Sequence, residues 1–209
     1  MQEIRTEAQE AEEDIFFGQV SLIAARYFLI VGGLILVLTT AKTQAEFALS
    51  IVPIVFFIMM NFFLHARYVM GQPANRAFIL AANTLDLVII TAIVMAFGTE
   101  NGLKSQFFVF YFPVLAAFGF VFPRRIEASY TVVAGVLYGL ACLVTGSLSE
   151  ATLDGTLINA KTLGLRLIAM AAVGGLANYY FRILRARRRA VGGGTTLPGA
   201  APIAMGPAG

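Results

Sequence analysis

The sequence predicts an all-α fold: a polytopic membrane protein whose six transmembrane helices form a bundle with both termini in the cytoplasm. Three observations predict it. The composition is 58% hydrophobic and 13% charged, with a mean hydropathy of +0.79, well above what a water-soluble core needs. Apolar segments of about 20 residues, the length that crosses ~30 Å of hydrocarbon as a helix, recur six times. The basic residues also divide by type. Lys42, Lys104 and Lys161 fall in one alternate set of connections, whereas Arg67, Arg76, Arg124, Arg125 and the run Arg182, Arg185, Arg187, Arg188 and Arg189 fall in the other. Short loops rich in basic residues stay in the cytoplasm, and arginine is the more numerous type. The arginine side is therefore expected inside and the lysine loops outside.

The elements follow in order. Residues 1–17 form an acidic leader (Glu3, Glu7, Glu10, Glu12, Glu13, Asp14) in which Ile4, Ala8, Ala11 and Ile15 are spaced as a weak helical stripe. It reads either as a surface-lying helix or as a solvated terminus. Spans are expected roughly over 18–39, 47–66, 77–97, 106–122, 128–148 and 162–182. Helix is preferred to strand because a spanning segment must satisfy its backbone hydrogen bonds internally. The first span is not a cleavable signal, since its leader is acidic and its apolar stretch is full length. Residues 18–184 thus make the membrane domain. Beyond them, 185–209 is a basic exit followed by a Gly, Pro and Ala tail that cannot bury enough surface to order itself. The single Cys142 lies within the fifth span and excludes an intrachain disulfide.

Polar groups inside spans carry the most information, because a charge near the bilayer centre is costly and survives when paired or functional. Arg26 lies about nine residues into the first span, and Asp86 lies about as far into the third from the same side; at 1.5 Å per residue the depths match. They are expected to form a buried ion pair supported by Asn83, with a packing role favoured over proton relay or ligand contact. Arg166 lies about one turn inside the sixth span from the outer face. It is expected to snorkel to the headgroups, with an anionic ligand or an outer-loop carboxylate as the other reading. Asn61 and His65 share a face of the second span, but one histidine without a second ligand argues against a metal. Asn178, Tyr179 and Tyr180 at the inner end of the sixth span read as interfacial anchors. Gly32-Gly33 and Gly174-Gly175 read as close helix packing.

No phosphate-binding glycine loop, HExxH or serine triad is present, so no hydrolytic or phosphotransfer chemistry is expected and the chain does not read as an enzyme. The basic exit, Arg182 to Arg189, is juxtamembrane and reads as a site for anionic lipid headgroups, not nucleic acid.

One stretch is more specific: DLVIITAIVMAFGTENGLKSQFFVFYFPVLAAFGFVFPRR, from Asp86. It has an early acid, a Gly-containing outer loop, Ser-x-Phe-Phe and Tyr-x-Pro opening the next span, and a basic turn. With Arg26, Arg166 and the exit NYYFRILRARRR, it resembles the six-helix N-terminal membrane sensor region of bacterial sensor histidine kinases and some diguanylate cyclases, over roughly residues 12–190. The family's outer-loop pattern, Gly-Gly-x-x-Ser/Asn-Pro-Phe, falls on Asn101 to Phe107; Gly102, Ser105 and Phe107 match, and Asn101 and Gln106 depart. In the redox-sensing branch this pattern is associated with quinone binding. The likeness therefore implies an outer-face site of Gly102, Ser105, Phe107, Tyr111 and Arg166 that would take a quinone as its one candidate cofactor. Phe107, Phe108, Phe110, Tyr111 and Phe112 would supply a wall for a flat ring, or else a lipid-facing belt.

The likeness also implies a bacterial cytoplasmic membrane location and a homodimer. No kinase domain follows the region here. The chain then reads as an orphan sensor-like module, a truncated product or a membrane module reused as a subunit, and the expected function is that of an orphan sensor-like module relaying a membrane or outer-face stimulus through residues 178–190 to a separate partner in the membrane or cytoplasm. The alternative is an accessory structural subunit of a respiratory, photosynthetic or transport complex.

Overall fold

The computed structural model describes residues 7–72, 74–96, 101–149 and 153–193. Among the described residues there is no strand. The order is α1 (Glu7–Thr40), α2 (Gln44–Val69), α3 (Arg76–Ala96), two short 3₁₀ turns (Gly102–Lys104 and Gln106–Phe110), α4 (Tyr111–Val121), α5 (Arg124–Val144) and α6 (Leu153–Gly193). Among the described residues five stretches are long and apolar enough to cross a membrane: Gly18–Thr40, Gln44–Val69, Arg76–Ala96, Arg124–Val144 and Ile158–Leu184. The chain is an all-α, multi-pass membrane bundle.

The expected fourth span is the exception. Residues 106–110 wind as 3₁₀ helix before the 11-residue α4, giving one shorter apolar segment, Gln106–Val121. At 2.0 Å and 1.5 Å rise per residue the two pieces reach about 26 Å. The segment runs from one end of the bundle to the other. At its start Leu103 N donates to Ser147 Oγ (2.9 Å), and at its finish Phe122 O accepts from Asn178 Nδ2 (3.0 Å). The connections bearing Lys42 and Lys104 lie at the first end, the lysine end, and those bearing Arg67 and Arg124 at the other, the arginine end.

Two other expectations shift. The fifth span begins at Arg124 rather than at 128, because Pro123 supplies a ready first turn and the long stems of Arg124 and Arg125 let basic residues join the helix. The leader is not a separate element from residue 7 onward, since α1 is continuous from Glu7. Residues 1–6 and the side chains of 7–17, on which the expected amphipathic stripe falls, lie outside the described residues. At the other terminus helix persists through Gly193, past the arginine run; the rest of the expected tail, 194–209, is likewise outside them.

Local chemistry explains the helix ends. Thr43 Oγ1 accepts from Glu46 N (3.1 Å) while Glu46 Oε2 accepts from Lys42 N (3.0 Å), a reciprocal cap for α2. Gly71, at φ +67, closes the far end of α2 in a left-handed turn that a side chain resists. Packing is organised around α4, which lies against α1 on one side and α6 on the other; α5 packs on α6 and α3. Tyr111, Val114, Leu115 and Phe118 of α4 are buried, as are Leu22 and Leu29 of α1, Leu87 and Ile90 of α3, and Ala134 and Tyr138 of α5. Large apolar side chains such as Phe28, Phe62, Val132 and Leu165 face outward. In water that surface would drive aggregation; in a bilayer it meets lipid.

Candidate functional site

Two polar centres interrupt the apolar bundle. The first joins α1 to α3. Arg26 Nε donates to Asp86 Oδ2 (2.9 Å) and Nη2 to Asp86 Oδ1 (3.0 Å), a two-pronged pair whose side chains are 1% and 0% exposed. Nη2 also reaches Ala82 O (3.3 Å), while Nη1 has no partner. Asn83 does not bond to the pair as expected. Its Nδ2 donates back to Ile79 O (3.2 Å), its Oδ1 is unpartnered, and its backbone oxygen accepts from Tyr130 Oη (2.7 Å). An i to i−4 bond costs a helical asparagine no reorientation of its neighbours, which explains why it turns to its own helix. Tyr130 stacks on Phe118 with ring centres 3.8 Å apart and planes 6° from parallel, so α1, α3, α4 and α5 meet at this level.

Asn61 of α2 is also buried and neither of its amide atoms has a partner, whereas His65 is exposed. The two do not share an environment. No cluster of histidine, cysteine or carboxylate side chains fit for a metal occurs among the described residues.

The second centre lies at the lysine end, where the five residues expected to form one site are divided between two places. Phe107 turns with Phe110 toward α1 and α2, where they line an apolar crevice with Leu29, Pro53 and Phe57. The crevice is narrow, with a cavity volume of about 20 Å³ for water-sized spheres. Tyr111 and Arg166 belong to the other side. Tyr111 Oη lies 2.7 Å from Thr91 Oγ1, and its ring packs on Tyr138 with centres 5.6 Å apart. Arg166 Nη1 donates to Tyr138 Oη (2.6 Å), and its Cζ stands 4.6 Å from the centre of the Phe108 ring. Arg166 thus rests between the Phe108 ring and the Tyr138 hydroxyl, which offer a cation both a π face and an acceptor. The aromatic run is mostly interior. Phe107, Phe108, Phe110 and Tyr111 are buried, Phe112 is half-buried, and Gln106 and Val109 face out, so the aromatic run is not a lipid-facing belt.

Gly102 is fixed by geometry. Its φ is +57, and a Cβ there would strike Thr145 Oγ1 and Ser147 Oγ, the latter at 2.5 Å. This contact seats the turn Gly102–Lys104 on the end of α5, where Ser147 Oγ also donates to Cys142 O (3.0 Å). Ser105 Oγ is buried without a hydrogen-bond partner.

Sequence reading missed several participants. Gln19 clamps α1 to α2 and to the α2–α3 connection: its Nε2 donates to Leu64 O (2.8 Å) and its Oε1 accepts from Ala74 N (2.8 Å). Glu127 is 4% exposed; its Oε1 accepts from Thr131 Oγ1 (2.9 Å) and faces Gly174, where a Cβ would collide with that carboxylate. An acid in a basic first turn was the available signal. Tyr130 and Tyr138 gave none, since their spacing matches that of ordinary core residues. Asn178 is an interior tie and not an anchor, for its Nδ2 reaches Gly119 O (3.2 Å) and Phe122 O (3.0 Å); Tyr179 and Tyr180 are exposed. Of the basic exit, Arg182 and Arg187 are exposed, and the side chains of Arg185, Arg188 and Arg189 lie outside the described residues.

Comparison with known proteins finds no matching family model, no matching curated protein and no matching solved structure.

Proposed function

We propose that the chain is a sensor-like membrane module: a six-crossing bundle, with α4 as the short crossing and both termini cytoplasmic, that takes a stimulus at its lysine end and passes it to a separate cytoplasmic partner. One observation carries this reading. Helix α6 is continuous from Leu153 to Gly193, 41 residues, so Arg166 at the lysine end and the arginine run beyond the membrane belong to one rod of about 60 Å. A rod of that length exceeds a bilayer's full thickness of ~45 Å and projects an ordered helix past its arginine face. The basic exit would hold anionic lipid headgroups, and a homodimer would fit the same role. A ligand alters such a module only by binding its two arrangements unequally.

The competing reading, an accessory subunit of a larger membrane complex, is favoured by the broad outward apolar face of α2, which includes Val52, Met59 and Phe62. Mass spectrometry of what co-purifies from the native membrane in mild detergent separates the two. Stoichiometric recovery of a kinase or cyclase, lost when two glycines are inserted after Arg182, is the expected result. Recovery of a respiratory, photosynthetic or transport complex, with or without the insertion, would replace the sensor reading by the accessory one.

A further inference from the structure

The lysine end holds a cation that, among the described residues, is oriented but not neutralised. Among the described residues no carboxylate pairs with Arg166; its contacts are the Tyr138 hydroxyl at 2.6 Å and the face of Phe108 at 4.6 Å. A phenol oxygen accepts one of the five guanidinium N–H groups, and a ring beneath the plane leaves the in-plane edge for an acceptor. The fully buried Arg26 is treated differently, with a two-pronged carboxylate.

A second group points the same way. Ser105 Oγ is 1% exposed and has no partner, an arrangement that costs stability unless something accepts or donates there. Ser105 is the extended cap of the 3₁₀ turn Gln106–Phe110, three residues before Phe108. The orphan hydroxyl thus sits at the head of the turn that carries the ring beneath Arg166. Lys161, exposed, adds positive potential at the rim.

Depth selects the ligand. Arg166 is eight residues inside the start of the Ile158–Leu184 segment, and a helical side chain leans toward its helix N-terminus, here toward the lysine end. Its guanidinium is carried toward the level where phospholipid phosphates begin, and the guanidinium fork matches phosphate oxygens in pairs.

We propose that Arg166, seated on Phe108 and Tyr138 and joined by the Ser105 hydroxyl, is a binding site for a phosphate oxyanion at the lysine end of the bundle. The phosphate belongs either to a lipid headgroup of the facing leaflet or to a soluble anion. The site takes no quinone ring, since the aromatic side chains that would receive one are already packed on each other and on Arg166. As the stimulus of a sensor the anion rests on the signalling reading, but its binding is measured without any partner, so either can fail while the other stands.

The test uses the full chain, delipidated in neutral detergent, as wild type, Arg166→Gln, Arg166→Lys and Ser105→Ala. Native mass spectrometry measures retention of phosphatidylglycerol against diacylglycerol, which has no phosphate; calorimetry measures inorganic phosphate. Wild type should favour the phosphate-bearing ligand at least about tenfold, as expected for a charge-assisted bond. Arg166→Gln should abolish the preference, and Ser105→Ala should weaken it while leaving the melting temperature level or higher. Arg166→Lys should fall between wild type and glutamine. Retention of the lipid alone identifies a headgroup, and saturable inorganic phosphate binding identifies a soluble anion; both support the site. Equal retention of both lipids by wild type, with no phosphate binding, overturns it. Should Arg166→Gln fail to fold, unchanged preference in both Arg166→Lys and Ser105→Ala overturns it as well.

Discussion

At the scale of single residues, Arg26 and Asp86 show how cost and benefit divide in an apolar medium. Separately each is a buried charge; together they exchange two hydrogen bonds with almost no exposure. Arg26→Leu should destabilise the bundle by about 3–5 kcal/mol through the stranded Asp86 carboxylate, whereas Arg26→Leu with Asp86→Leu should recover most of that loss. Thermal unfolding in detergent, followed by size-exclusion chromatography, measures both, and indistinguishable melting of the single and double variants would mean that the pair contributes nothing. Glycine offers a second contrast. Gly71→Ala meets open space and should cost about 1 kcal/mol from its positive φ alone. Gly102→Ala adds a collision with Thr145 and Ser147 and should cost about 2–4 kcal/mol and loosen the turn over α5. Equal melting shifts for the two would show that the collision relaxes freely. Matching depth in two spans made the ion pair legible in the sequence. Where Asn83 would point was not, because an amide has a local alternative in its own helix that spacing does not reveal.

At the scale of elements, the junction of α4, α5 and α6 is set by small residues. A Cβ on Gly119 would lie 3.0 Å from Ala177 Cβ and 3.1 Å from Asn178 N, and one on Gly174 would strike the Glu127 carboxylate and approach Thr131 Oγ1 to 2.8 Å; one on Gly175 meets nothing. Gly174→Ala should therefore destabilise by about 1–3 kcal/mol, while Gly175→Ala should be neutral or stabilise by up to about 1 kcal/mol from helix propensity. Melting temperatures of the pair decide it, and a destabilising Gly175→Ala would reveal a neighbour outside this bundle. The sequence marked Gly174-Gly175 as a packing pair without telling which of the two touches a helix, for that depends on the rotation of α6. The 3₁₀ start of the fourth segment was equally illegible, since a composition scan measures apolar length and is blind to winding. Helix existence was plain throughout, because each apolar stretch leaves its backbone no other partner.

At the scale of the whole molecule, the division of lysine and arginine by end survives in the fold as two opposed sets of connections. Its orientation is open to direct measurement. In a Cys142→Ser background, single cysteines at Lys42, Lys104 and Lys161 should react with a membrane-impermeant maleimide on intact cells, and cysteines at Arg67 and Arg124 should react only after lysis. Labelling of the arginine-end cysteines on intact cells would invert the topology, and labelling of Lys104 and Arg124 together would mean that the Gln106–Val121 segment does not cross. The bundle was readable from hydropathy and basic-residue bias, which act on segments. The proposed anion site was not, because Phe108, Tyr138 and Arg166 come together only when the Gln106–Phe110 turn, α5 and α6 are packed.

Asn178 adds a mechanical consequence. Its two hydrogen bonds pin α6 to the end of α4, about 18 Å along the axis from Arg166 and about 22 Å from Gly193. A rod pivoting at that point would act as a seesaw. A sideways displacement of 1 Å at Arg166 would then emerge as about 1.2 Å in the opposite direction at Gly193, so the place where the helix is tethered would set both the sign and the gain of whatever it carries.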